Sequence, residues 1–270
     1  MVAICLNNSQ QNRDSWNTGA YQAWVNRFGQ PADAAQKIMK DPAKRIGKAL
    51  ECMNDIRGKK IANLLGSNGT KAVALALLGA EVTIVDFSSE NEKYAMELAK
   101  AAGVEIKYVL SDVLQLPAEM LSGDYDFVYM EHGILHYFMD LKPLFHVVQA
   151  LLRPGGMLVL QDFHPVTTKL ISSRGTTANI RKHKVTGDYF DTSLVVKEVA
   201  FSKFLPEWSN GSLPVVYLRN WTLGEIVTAV ASQGLCIKAL EELPNLSSDH
   251  YDKGIPKTFI LVAERVPGLG

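Results

Sequence analysis

The chain has 270 residues, 47% of them apolar, and its 28 Lys and Arg balance 28 Asp and Glu to a net charge of zero. That suits one large α/β domain with additions, and the missing basic excess argues against nucleic acid or an anionic membrane as the main partner. The three cysteines, Cys5, Cys52 and Cys236, have neither zinc spacing nor the density of a disulfide framework. With no basic, apolar leader and no window of about 18 uninterrupted apolar residues, the expectation is a soluble, cytoplasmic protein.

Residues 1–11 read as a loose terminus, followed by a helix over Asn12–Phe28 that carries Trp16, Tyr21, Trp24 and Phe28 toward one face. A second helix, about Pro42 to Asp55, has Pro42 at an early helical position. The organising stretch comes next, Lys60 to Ser88. An apolar run, Ile61–Leu65, leads into the turn Gly66-Ser67-Asn68-Gly69, a helix rich in Ala and Leu follows to Gly79, and a second apolar run, Val82–Val85, ends on Asp86. Strand, tight turn, helix and strand, with an acid about 20 residues beyond the turn, is the first half of a nucleotide-binding sheet. The turn lets backbone N–H groups approach a ligand, and the acid can accept hydrogen bonds from a ribose.

The rhythm repeats. Ser88 or Ser89 caps a helix that stops at Gly103. Val104–Leu110 is a strand ending at Ser111-Asp112, residues 113–123 are a short helix or loop, and Tyr125–Met130 is a fourth strand leading into Glu131-His132-Gly133-Ile134-Leu135-His136. A helix over Leu141–Leu152 closes at Arg153-Pro154-Gly155-Gly156, and Met157–Asp162 is the fifth strand. From 166 to about 215 the rhythm is lost, with extended segments at 194–204 and 215–218; a stretch this long between core elements is usually a lid or a binding loop. Thr222 and Glu225 form a capping box for a helix ending at Gln233-Gly234, and strands at about 235–241 and 257–264 follow with little but a loop between them, so they pair antiparallel. The expected fold is α/β: a doubly wound, mostly parallel seven-stranded sheet. The expected organisation is an N-terminal helical cap (1–56), a core (57–165 and 222–266) and a lid insertion after strand five (166–221).

The order of these motifs resembles the class I S-adenosylmethionine-dependent methyltransferases of the small-molecule type, over about residues 12–265. The resemblance rests on the turn at Gly66–Gly69, Asp86 closing strand two, Ser111-Asp112 closing strand three, Asp126-Phe127-Val128 in strand four and, most specifically, Leu151-Leu152-Arg153-Pro154-Gly155-Gly156 before strand five. One departure stands out. The family's first turn reads acid-x-Gly-x-Gly-x-Gly, whereas here Asn63 takes the place of the acid, Leu65 and Ser67 replace the first two glycines, and only Gly69 matches. The carboxylate near the methionine ammonium is thereby lost, and the Asn63 amide is left to orient backbone or water.

The resemblance implies S-adenosylmethionine as cofactor and a Rossmann-like methyltransferase fold. Asn63, Gly66, Ser67, Asn68 and Gly69 would carry the methionine part and Asp86 the ribose hydroxyls. Phe87, Ser111, Asp112 and Val113 would meet the adenine. Glu131 and His132, after strand four, and Tyr21, on the cap, complete the expected cofactor contacts. Methyl transfer is an in-line displacement that needs alignment and, for a protonated nucleophile, a base. His136, His164 and Glu131 are the candidate catalytic groups, histidine being best poised near neutral pH. The bland alternative for each histidine is a structural hydrogen bond, and for His146, inside a helix, that reading wins. Trp16, His136, His164, Tyr217 and Arg219 are the candidate acceptor contacts, with Trp208 and Trp221 beside them; core or lid packing is the usual role of such aromatics. No ligand spacing points to a metal. The expected activity is methyl transfer to O, N or S of a small molecule, by a monomer or homodimer. Two alternatives stay open: an NAD(P)-dependent oxidoreductase, which would use Asp86 but lacks G-x-G-x-x-G, and a non-catalytic methyltransferase-like binding protein.

Overall fold

In the computed structural model, residues 2–171, 185–205, 212–244 and 254–268 are described. Among them the strands are β1 (Lys60–Leu64), β2 (Glu81–Asp86), β3 (Lys107–Leu110), β4 (Tyr125–Glu131), β5 (Leu152–Phe163), β6 (Leu194–Glu198), β7 (Val215–Arg219), β8 (Leu235–Pro244) and β9 (Pro256–Arg265). The helices are α1 (Val2–Trp16), α2 (Ala20–Phe28), α3 (Pro31–Lys40), α4 (Pro42–Ile46), α5 (Lys48–Met53), α6 (Thr70–Leu77), α7 (Ser89–Ala102), α8 (Lys142–Leu151) and α9 (Leu223–Ala231).

Strand alternation builds the core. In β1 and β4, Ile61, Phe127 and Tyr129 face one apolar layer together with Tyr94 and Leu98 of α7, while Ala62, Leu64, Val128 and Met130 face a second layer with Phe145 and Val148 of α8 and Ile226 of α9. Strands buried on both faces are what a parallel sheet covered by helices requires. Among the described residues seven strands join in the order β3-β2-β1-β4-β5-β9-β8, with β1 to β5 parallel and β9 antiparallel to both β5 and β8. The expected doubly wound sheet is therefore present. Its strand order reverses between β1 and β4, and the crevice at such a switch point is where ligands bind in this architecture. The Arg153–Gly156 turn lies inside β5 as a register break against β4. A Cβ on Gly156 would stand 2.9 Å from the carbonyl oxygens of Arg153 and Tyr125, so glycine is what lets the backbones close there.

The amino-terminal third differs from expectation. Residues 2–16 are helical, and the expected single helix over Asn12–Phe28 is split at Gly19, φ 94°. The sequence of α1 is polar and a weak helix former, so tertiary ties account for it. Asn12 exchanges both of its amide bonds with the backbone of Tyr217 in β7 (2.8 and 3.1 Å), and Ser15 Oγ donates to the Val215 carbonyl (2.6 Å). Helix α3 was also not foreseen; Pro31 opens it, and Ala34, Ala35 and Ile38 are its buried face. Helix α4 starts as expected at Pro42, capped by Asp41, but the expected single helix to about Asp55 breaks at Gly47, φ 70°, into α4 and α5. Ser88 caps α7, and Thr222 with Glu225 forms the capping box of α9. Beyond β5 the chain makes a short wide turn at Val166–Leu170 and later the antiparallel pair β6–β7, whose Val216 and Leu218 are buried in the core. Trp208 lies outside the described residues.

Candidate active site

A cavity of about 970 Å³ opens at the carboxyl ends of β1, β2 and β4, where the strand order reverses. The first turn enters its wall. Among the described residues, the non-glycine residues with positive φ are Asn54 (55°), Leu65 (48°), Ser67 (49°) and His132 (46°). Three of these four line the cavity. A left-handed conformation costs an L-residue roughly 1–2 kcal/mol, and such strain gathers where the backbone must serve a ligand. Leu65 and Ser67, which stand where the resembled motif has glycine, thus hold the left-handed conformation that favours glycine. Asn63 is buried; its Nδ2 donates to the Tyr129 carbonyl (3.3 Å), while its Oδ1 has no hydrogen-bond partner among the described residues.

Asp86 closes β2 as a buried carboxylate. It accepts from the backbone N–H of Ser67 (3.0 Å) and Ser88 (2.9 Å) and from Asn91 Nδ2 (3.3 Å). Burial pushes its pKa up, and those donors pull in the opposite direction. Phe87, Ser111, Asp112 and Val113 continue the wall. Asp112, rather than Ser111, caps the turn that follows: its Oδ1 accepts from Leu114 N–H (2.9 Å), and its Oδ2 accepts from Ser9 Oγ of α1 (2.7 Å).

The β4 end carries the charge. Burial would raise the Glu131 pKa, but the hydrogen bond from His132 and the Lys71 ammonium outweigh it and hold the carboxyl below its ordinary value. Lys71 Nζ lies 2.8 Å from Glu131 Oε1, and His132 Nδ1 lies 3.0 Å from the same oxygen. Beyond His132 the chain is cradled by buried Asp162, whose carboxylate accepts from the N–H groups of Gly133 (2.5 Å), Leu135 (3.1 Å) and Ile134 (3.2 Å). The cradle presents His136 to the cavity. Burial pushes the His136 pKa down to about 4, with the Asp162 charge acting against that shift and Lys197 adding to it. Its imidazole is therefore neutral at physiological pH, and among the described residues neither ring nitrogen is hydrogen-bonded.

Of the residues expected from sequence, Asn63, Gly66, Ser67, Asn68, Asp86, Phe87, Ser111, Asp112, Val113, Glu131, His132, Trp16 and His136 all line this one cavity. Five do not. His164 is a correction: it is 2% exposed, its Nδ1 accepts from Val166 N–H (3.1 Å), and its Nε2 meets Glu242 Oε1 at 2.7 Å, so both nitrogens are spent on structure. Tyr217 is held in β7 by Asn12, outside the cavity wall. Arg219 donates to the Met139 carbonyl (3.0 Å) and to Glu225 Oε1 (2.7 Å) and stacks 3.6 Å over Trp221, so it is a packing residue. Trp221 itself is buried, donating to the Leu135 carbonyl at 2.9 Å. Tyr21 turns away to Glu97 (2.6 Å). Gly69 faces α7 instead of the cavity; a Cβ there would lie 2.5 Å from Ala95 Cβ.

The structure adds residues that sequence reasoning missed. Arg45 of α4 reaches the wall and donates from Nη2 to Thr70 Oγ1 (2.6 Å), while its Nε is buried without a partner among the described residues. Tyr137 lines the cavity and accepts from Trp16 Nε1 at 3.1 Å. Lys71 had a sequence signal, one step into the helix after the turn; Arg45 had none. Among the described residues no three His, Cys, Asp or Glu side chains gather as a metal site, and no helix is long and apolar enough to cross a membrane.

Comparison with known proteins fits this geometry. Residues 63–156 match the family described as methyltransferase domain. A ubiquinone biosynthesis O-methyltransferase of Bordetella pertussis is 26% identical over 145 residues, 54% of this chain and 59% of that protein. A demethylmenaquinone methyltransferase of Thermus thermophilus is 33% identical over 111 residues, 40% of this chain and 48% of that protein. The chain thus spans about half the length of the curated relatives it matches. Among solved structures, an S-adenosylmethionine dependent methyltransferase from Mesorhizobium loti superposes with a TM-score of 0.58 at 24% identity, covering 82% of this chain and 98% of that one. Magnesium protoporphyrin IX methyltransferase from Synechocystis, solved with its S-adenosylmethionine bound, gives 0.56 at 15% identity, covering 96% and 97%. Residues 63–156 thus match a methyltransferase domain, within a chain that has the fold of these S-adenosylmethionine-dependent methyltransferases.

Proposed function

We propose that this chain is an enzyme that moves a methyl group from S-adenosylmethionine to an O, N or S atom of a small molecule. One observation carries the reading: a single cavity holds Asp86, Asp112, the strained first turn and an unengaged neutral imidazole, His136. Likeness to a ubiquinone biosynthesis O-methyltransferase, a demethylmenaquinone methyltransferase and a magnesium protoporphyrin IX methyltransferase supports the acceptor class.

The side chains fit the cofactor's groups. Asp86 suits the ribose hydroxyls, and Asp112 suits the adenine amino group, with Val113 and Phe87 as its apolar neighbours. The orphaned Asn63 Oδ1 is an acceptor in want of a donor, and the methionine ammonium is one. Asn63 pairs in register with Tyr129, two residues before Glu131, so Glu131 brings to this end of the cavity the carboxylate that the first strand lacks. Arg45 and Lys71 suit the methionine carboxylate.

The bound cofactor supplies a sulfonium-activated methyl group. The chain supplies the surroundings. Trp16 and Tyr137 cover the cleft and exclude water. Asp162 fixes the 132–136 segment by three backbone hydrogen bonds, which sets where His136 stands. His136 accepts the proton of the acceptor's nucleophile. Residues 1–56 and 166–221 shape the acceptor end, and the enzyme acts in the cytoplasm as a monomer or homodimer.

Titration calorimetry with S-adenosylmethionine, S-adenosylhomocysteine and NAD tests the reading. Binding of both sulfur compounds and not of NAD is expected. The absence of heat with either sulfur compound would overturn it. Asp86→Ala is expected to lower cofactor affinity at least about a hundredfold, the cost of two charge-assisted hydrogen bonds.

A further inference from the structure

Four cations reach the cavity wall: Arg27, Arg45, Lys71 and Lys203. Lys71 is paired with Glu131. The other carboxylates on the wall are engaged elsewhere: Asp86 by its three donors, Asp112 by Ser9 and Leu114, and Asp140 by the Lys142 N–H. Among the described residues Arg27 and Lys203 make no ion pair with a carboxylate, and Arg45 makes none either, although the Glu131 charge acts on it.

These three cations are assembled on two phenylalanine rings. The Arg27 guanidinium lies 4.6 Å from the Phe28 ring centre and 4.7 Å from that of Phe204, Arg45 lies 5.3 Å over Phe28, and Lys203 lies 5.2 Å over Phe204. Asn26 Nδ2 donates to the Phe204 carbonyl (2.8 Å) and ties the insertion to α2 at this point. The cluster therefore joins α2, α4 and the turn Ser202–Phe204. Burial lowers the Arg27 pKa, and the Arg45 charge lowers it further, so the two cations act on each other. Like charges held together beside a cavity ask for an anion.

The cofactor does not meet that demand. S-adenosylmethionine carries one carboxylate against an ammonium and a sulfonium, so it adds positive charge. Its carboxylate accounts for Arg45, which bonds Thr70 beside the first turn. Arg27 and Lys203 are left over on the rim.

Resting on the methyltransferase reading above, we infer that the methyl acceptor is an anion, and that Arg27 and Lys203 clamp its carboxylate or phosphate group at the mouth of the cavity. The rest of the acceptor lies against Trp16, Trp24 and Phe28, which line the same cavity. The clamp fixes the acceptor by its charged end and leaves its nucleophilic atom to be aligned deeper in the cavity.

The test uses protein saturated with S-adenosylhomocysteine, titrated with benzoate, phenyl phosphate and benzyl alcohol. At least one anion is expected to bind about tenfold or more tighter than the neutral alcohol, with affinity falling as salt rises. The better anion identifies the headgroup. Arg27→Gln and Lys203→Gln are each expected to weaken anion binding by about tenfold while S-adenosylhomocysteine affinity stays within about twofold. That retained affinity also certifies that the variants are folded. Equal binding of alcohol and anions, or variants that bind the anions as the wild type does, would overturn the inference. So would a matching loss of S-adenosylhomocysteine affinity, which would hand both side chains to the cofactor. Failure of the wild type to bind S-adenosylhomocysteine would instead overturn the methyltransferase reading itself.

Discussion

Three histidines stand at the carboxyl edge of the sheet, and their hydrogen bonds separate their roles. His164 has both nitrogens committed, His132 shares Glu131 with Lys71, and His136 has neither nitrogen engaged among the described residues. His136→Ala is expected to lower kcat by roughly 10²–10⁴ with cofactor affinity kept, the usual size of a lost general base. His164→Ala should do the reverse: a loss of roughly 1–3 kcal/mol of stability from an orphaned partner, read in a denaturant melt, with kcat retained. The sign of the pH dependence follows from burial. A base pushed down to about 4 is already neutral at pH 7, so the rate should stay flat on mild acidification and fall only as the pH drops through about 4. A kcat/KM profile with its acid limb near the ordinary imidazole value would remove His136 as the base.

At the level of elements, the first turn is a strained loop carried by side chains. Ser67 sits at φ 49°, and its Oγ is buried with no partner among the described residues. Ser67→Gly removes both costs and is expected to raise stability by about 1–2 kcal/mol, seen as a higher Tm. Cofactor binding should be unimpaired, because what this position offers a ligand is backbone. Leu65→Gly gives up apolar contact along with its strain, so little net gain is expected there. These elements show what periodicity can carry. Largely apolar runs of four to six residues marked β1, β2, β4 and β5, and caps at Ser88 and Thr222 marked where α7 and α9 begin, because burial and capping are local in sequence. Helix α1 left no such mark: its order comes from Asn12 and Ser15 meeting β7 some two hundred residues on. The site divided along the same line. Residues on the strand ends were legible, since topology alone brings Asp86, Asp112 and Glu131 to one edge. Tyr21, Tyr217 and Arg219 were misplaced, because an aromatic ring or a guanidinium reads the same whether it faces a ligand or a neighbouring carboxylate. Arg45 was invisible, being delivered from a helix outside the sheet's rhythm.

For the whole molecule, α1 lies across the cleft, tied at Ser9 to Asp112, at Asn12 to β7 and at Trp16 to Tyr137. Asn12→Ala cuts the middle tie, and S-adenosylhomocysteine is expected to dissociate about tenfold faster in stopped-flow measurements, alongside a stability loss of roughly 1–3 kcal/mol from the orphaned Tyr217 backbone groups. An unaltered dissociation rate would show that α1 does not gate the cleft. The order of the sheet has a consequence of another kind. Strand β9 fills the place between β5 and β8, so the open side of β5 waits for residues made roughly ninety positions later. At about 5–20 residues per second on the ribosome, that edge, carrying Leu158, Val159 and Leu160, stays bare for roughly 5–20 s. A nascent chain halted before residue 256 would present a raw apolar strand to its neighbours. Such stalled chains should recruit a holdase or aggregate, and release of β9 should end that vulnerability.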